Sequence, residues 1–105
     1  MAAQDIALSP PRADETLALC EALLKLTTAD EARRFLADLC TPAEVRAFAE
    51  RWHVARLLDE GTLSYRGINV ATGVSTATIV RVARFLREEP YQGYRVVLDR
   101  LKDAP

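Results

Sequence analysis

Beyond the first dozen residues, apolar side chains recur every three to four positions, and caps and breakers divide that rhythm into five or six helices. From about Ala13 to Leu26, the residues Leu17, Cys20, Leu23 and Leu24 keep helical spacing. Thr28-Ala29-Asp30-Glu31 then has the form of a capping box, in which the Thr hydroxyl and the Glu carboxylate satisfy open backbone amides. It starts a second helix with Ala32, Phe35, Leu36 and Leu39 on one face. Thr41-Pro42-Ala43-Glu44 repeats the box, with Pro42 at the first helical position, where its missing N–H costs nothing. The third helix runs to about Glu60 and stops at Gly61, with Val45, Phe48, Trp52 and Ala55 on one stripe and Leu57 and Leu58 widening it. So long a stripe on so small a chain predicts helix contacts across a dimer as well as within one copy.

The next stretch is punctuated more tightly. Ser64 can cap a fourth helix from Tyr65 to Thr72, and Gly73 supplies the left-handed residue that ends it. Ser75 caps a fifth helix that reaches about Arg87, and Pro90 forbids its extension. A last helix, roughly Tyr91 to Leu101, carries Tyr94, Val97, Leu98 and Leu101, with Gly93 weakening its first turn. No segment alternates long enough to demand a strand. The fold class is therefore all-α: a flexible arm over residues 1–12, ending in Ser9-Pro10-Pro11, and a single helical domain over 13–105.

Two short helices joined by a glycine turn are the sequence form of a helix-turn-helix, here about residues 64–87. Ile68, Val74, Ile79 and Val82 are apolar where two such helices must pack. At about 100° per residue, Ile79, Val82, Ala83 and Leu86 share one face of the fifth helix, and Thr76, Val80, Arg84 and Arg87 another. The second face is basic and mostly short-chained. Such a face can enter the major groove of double-stranded DNA, where Arg reads guanine or phosphate and small apolar groups meet thymine methyls. The candidate DNA contacts are Ser64, Arg66, Ser75, Thr76, Ala77, Val80, Arg84 and Arg87, the two serines marking helix N-termini whose backbone amides can meet phosphate. The plainer reading is a helical hairpin with a solvated arginine face.

Charge separates the two. The chain is nearly neutral, at −1, but residues 1–40 hold seven acids against four basic residues, whereas residues 61–87 hold Arg66, Arg81, Arg84 and Arg87 with no acid. A basic island in a mildly acidic chain is the footprint of an anionic partner. The remaining chemistry is sparse. Cys20 and Cys40 lie at apolar positions outside any metal spacing and read as buried free thiols, which suits a reducing cytoplasm. The N-terminal stretch has no apolar run of signal-peptide length, and no segment reads as a membrane span. His53 lacks ligands or a nucleophile around it, so neither a metal, a cofactor nor an enzymatic activity is expected. Trp52 and Phe48 read as core, and Tyr91 and Tyr94 as packing for the last helix. Glu88-Glu89 reads as a solvated helix end whose acids would also repel stray phosphates, while Gly67 and Asn69 are poor helix formers inside the fourth helix.

From Thr41 to Pro90 the chain resembles the Trp repressor, and more closely its YerC/YecD-type relatives, through TPAEVRAFAERWHVARLLDEGTLSYR and ATGVSTATIVRV. The resemblance implies an intertwined homodimer whose fourth and fifth helices are DNA-reading heads, and hence a transcriptional regulator of the repressor type. It also implies a ligand site, because the effector of the Trp repressor lies between two arginines whose positions match Arg51 and Arg81, with Thr41 at a third contact. A glycine and a small serine that leave room for the indole are Val82 and Phe85 here. Two large side chains would occupy that volume, so L-tryptophan is not the expected effector. This leaves Arg51 and Arg81 to a structural role or to a different ligand. The alternative to a DNA-reading dimer is a helical protein–protein module that keeps the fold without reading DNA.

Overall fold

The computed structural model describes residues 13–103, so the arm expected over 1–12 lies outside the described residues. Six helices and no strand occur among them: α1 (Ala13–Leu23), α2 (Ala29–Leu39), α3 (Pro42–Glu60), α4 (Tyr65–Thr72), α5 (Thr76–Arg87) and α6 (Gly93–Asp103). They divide at the Thr41–Pro42 junction into two compact units.

The first unit holds α1 and α2. Its first helix stops three residues short of the expected Leu26, because Leu24, Lys25 and Leu26 turn back onto the carbonyls of Cys20, Ala22 and Leu23. The cap of α2 is the expected box, extended by one residue to Thr27. Thr28 Oγ1 accepts the Glu31 amide at 3.1 Å as foreseen, and the Glu31 carboxylate accepts chiefly the amide and the hydroxyl of Thr27, with the Thr28 amide a weaker partner. Ala32, Phe35 and Leu36 are half-buried, while Leu39 is exposed, and neither helix buries a residue fully. The expectation of buried thiols fails for the same reason: both cysteines are free, but Cys20 is exposed and Cys40 half-buried.

The second unit contains the core. Val54, Ala55 and Leu58 of α3 meet Ile68 of α4, Val74 of the turn, Ile79, Val82, Ala83 and Leu86 of α5, and Leu98 of α6. Only the C-terminal half of α3 is buried there. Phe48, expected in the core, is 45% exposed, because the core ends at Val54 and the apolar stripe of α3 continues past it toward the N-terminus. Trp52 is half-buried, packs against the core and stacks on Tyr94 at 6.4 Å. Tyr91 does not pack α6. It is 78% exposed and stacks on Phe85, because α6 starts two residues later than expected, at Gly93, after Gln92 takes a left-handed φ of 55°.

The ends of α3 and α6 are clipped together by charge. Asp59, with 12% of its side chain exposed, accepts Arg95 at 2.9 Å and Lys102 at 2.8 Å. Hydrogen bonds from Arg95 and then Lys102 hold its carboxyl below the ordinary value of 3.8. A depressed folded-state pKa contributes stability that is complete above the unfolded value and is lost as pH falls through the folded one. Asp59→Asn should therefore melt below the wild type at neutral pH, and the two melting temperatures should converge as pH falls through the lowered pKa of the carboxyl. A constant gap across a pH-melting series would show that the carboxylate charge is not what clips the helices.

Candidate nucleic-acid interface

Helix α4 begins where Ser64, in extended backbone, accepts the Gly67 amide on its hydroxyl at 3.0 Å. Gly67 suits this cap despite its low helix propensity, because a Cβ there would lie 3.3 Å from that same oxygen. The helix ends at Gly73, whose φ of 76° is the left-handed conformation that glycine adopts without strain and whose amide returns to the Asn69 carbonyl. Two side chains then tie the turn. Asn69 Nδ2 donates to the Val74 carbonyl at 2.8 Å, and Thr72 Oγ1 donates to the Ile68 carbonyl while accepting the Val74 amide at 3.1 Å. Asn69, a misfit when read by propensity alone, is thus a brace between α4 and the turn. Ser75 caps α5 by accepting the Thr78 amide at 3.2 Å.

The split of α5 into two faces is as expected. Ile79, Val82, Ala83 and Leu86 are buried; Thr76, Ala77, Val80, Arg84 and Arg87 are exposed, Val80 by 51%. Ser64, Arg66 and Ser75 are also exposed, so all eight candidate contacts are open to solvent in the unit that carries the helix-turn-helix.

Two of the arginines have partners that local spacing does not announce. Arg87 Nη1 donates to the Tyr65 hydroxyl at 3.1 Å, joining the end of α5 to the start of α4. Arg84 Nε lies 3.6 Å from the Glu89 carboxylate. The candidate ligand positions are also occupied by their own neighbours. The Arg81 guanidinium sits 4.4 Å from the Phe85 ring centroid and that of Arg51 5.8 Å from Phe48, while Val82 is buried in the core. Thr41 belongs to the first unit and is exposed. Near Phe85 an open, mainly aromatic cleft of about 470 Å³ is lined by Trp52, Phe85, Tyr91, Gly93, Tyr94 and Val97. His53 is exposed on α3.

Two capped helices joined through a left-handed glycine, docked by one buried face and basic on the other, define an all-helical protein of the helix-turn-helix class. The Trp repressor protein family matches residues 14–102, and the chain belongs to that family of DNA-binding regulators. It is 42% identical over 93 residues to the uncharacterized protein YerC of Bacillus subtilis, spanning 89% of this chain and 88% of that one. Among solved structures it is similar to a TrpR-like protein from Eubacterium eligens, with a TM-score of 0.79 and 37% identity over 90% of this chain and 95% of the other. It is similar too to a Staphylococcus aureus protein provisionally assigned as a Trp repressor, with a TM-score of 0.79 and 31% identity over 97% of this chain and 95% of that one. Among the described residues no helix is long and apolar enough to cross a membrane.

Proposed function

We propose that this protein is a sequence-specific, DNA-binding transcriptional regulator that acts as a homodimer, with α4 and α5 as its reading head. The observation that carries the reading is the division of α5. Every residue of one face is in the core, and the opposite face offers Thr76, Ala77, Val80, Arg84 and Arg87 to solvent at the end of a turn tied by Asn69 and Thr72. Rigid presentation of a narrow, basic, partly apolar helix suits the major groove. Arg66 on α4 and the capped N-termini at Ser64 and Ser75 suit the flanking phosphates. The family resemblance favours repression as the sign of regulation, and a reducing cytoplasm, which keeps thiols such as those of Cys20 and Cys40 free, is the compartment that suits the reading.

An electrophoretic titration against mixed genomic fragments at about 50 and 200 mM salt tests the reading. Binding that neutralises about six to ten phosphates should weaken by about 10³–10⁵ across that range. A complex indifferent to salt, or seen only with proteins, would instead support a helical interaction module.

Uncovered apolar surface supports the dimer. Leu17, Leu23 and Leu39 of the first unit and Phe48, Val97 and Leu101 of the second are all at least two-fifths exposed in the single chain. A pair of 11-residue helices that buries nothing fully is not stable by itself in water. Sedimentation at micromolar concentration should give about twice the chain mass of 11.7 kDa, and a folded monomer would contradict the proposal.

L-tryptophan should not act as corepressor. The aromatic ring against Arg81 is the chain's own Phe85, and Val82 has no space beside it, being 1% exposed. Millimolar L-tryptophan should leave DNA affinity unchanged and give no heat of specific binding in calorimetry. A tenfold tightening, about 1.4 kcal/mol of coupling, would show that Phe85 yields its place.

A further inference from the structure

Helix α5 closes onto an acid that is held in place. The Glu88 and Glu89 amides both return to the Arg84 carbonyl, at 2.8 and 3.1 Å. Pro90 follows, and Gln92 Nε2 donates to the Glu89 carbonyl at 2.8 Å. The Glu89 backbone is thereby fixed on both its amide and its carbonyl side. Its carboxylate lies 3.6 Å from Arg84 Nε, and the Arg84 guanidinium leans on Phe85, 5.1 Å from the ring centroid. Glu88 and Glu89 are the sole acids between Gly61 and Leu98. An arginine on the exposed basic face is therefore turned toward the C-terminal end of its own helix by a built-in anion.

We propose that Glu89 competes with DNA phosphate for Arg84 and so sets the affinity of the reading head. The proposal rests on the DNA-binding reading above. Arg84 and Glu89 are 53% and 34% exposed and touch through a single long contact, so water screens the pair and opening it is easy. A duplex, with one negative charge per about 1.7 Å, can take the arginine over. Until it does, the carboxylate neutralises Arg84 and repels approaching phosphate. The effect falls alike on every duplex whose phosphates Arg84 touches, and it limits how much of the protein stays on DNA at large.

Fluorescence anisotropy with a mixed-sequence duplex of about 30 base pairs, read across a salt series, tests the competition. Glu89→Gln should bind up to about fivefold more tightly per head, the gain available from an exposed pair, with an unchanged thermal melt. The same change in an Arg84→Ala background should give little or no gain, because the competition needs the arginine. An equal gain in both backgrounds would mean simple removal of charge, and a loss of affinity would mean that Glu89 aims Arg84 for binding. Either result overturns the proposal. Normal binding by the wild type with no change in Glu89→Gln would end this proposal alone. Failure of the wild type to bind any duplex at low salt would end the DNA-binding reading with it.

Discussion

Ile79→Ala should remove a large share of the protein's stability, costing about 2–5 kcal/mol against a total of about 5–15 for a domain. Ile79 is fully buried where α5 enters the core, together with Ile68, Val54 and Val82, the largest side chains that water does not reach. Truncation removes transfer energy and leaves a cavity that these neighbours can close only in part. A denaturant titration should show the midpoint falling with little change in slope. DNA binding should weaken in step, because the same residue docks the proposed reading helix. The next position is the control: Val80 is half exposed, so Val80→Ala should stay within about 0.5 kcal/mol in stability. Val80→Ala as damaging as Ile79→Ala would mean that the two faces of α5 have been exchanged.

The second large effect concerns affinity. Arg66→Ala and Arg84→Ala should each cost about 1–3 kcal/mol of specific DNA binding where the guanidinium reaches a base edge. For a contact to phosphate alone, the loss should be equal across sequences and the salt slope should shrink by about one. Both arginines are exposed, and neither belongs to the core, so melting temperatures should move little. Arg87→Ala is different. Its guanidinium also holds the Tyr65 hydroxyl, so some of its effect should appear in the docking of α4 on α5. Unchanged affinity in both the Arg66 and Arg84 variants would remove this helix pair as the DNA reader.

Local rules carried the reading of α4 and α5 a long way, because there they all agree. Ser64, Gly73 and Ser75 announce the helix ends, and the three-to-four spacing of Ile79, Val82, Ala83 and Leu86 selects the buried face without any knowledge of its neighbours. The same periodicity shows which side of a helix is apolar but not whether anything covers it. Phe48 and Cys20 sit on apolar stripes and are nonetheless exposed in the single chain. Propensity misjudged Asn69, whose worth lies in one side-chain hydrogen bond to the Val74 carbonyl. The pairing of Tyr65 with Arg87 spans 22 residues and that of Arg84 with Glu89 runs past a helix end, where helical spacing no longer predicts neighbours. Family resemblance pointed to Arg51, Arg81 and Thr41, while the three-dimensional arrangement adds that Phe85 and Phe48 lie against the two guanidinium groups.

Selection of genomic fragments by the purified protein, run beside the Arg66→Ala/Arg84→Ala double variant, tests the reading of DNA most directly. A dimer with two α4–α5 heads should enrich fragments that share a two-fold-symmetric motif, its half-sites about one helical turn, roughly 10 base pairs, or a multiple of that apart. The double variant should lose that enrichment. Fragments recovered without a common motif, or recovered equally by both proteins, would contradict the assignment of α4 and α5 as a sequence-reading head.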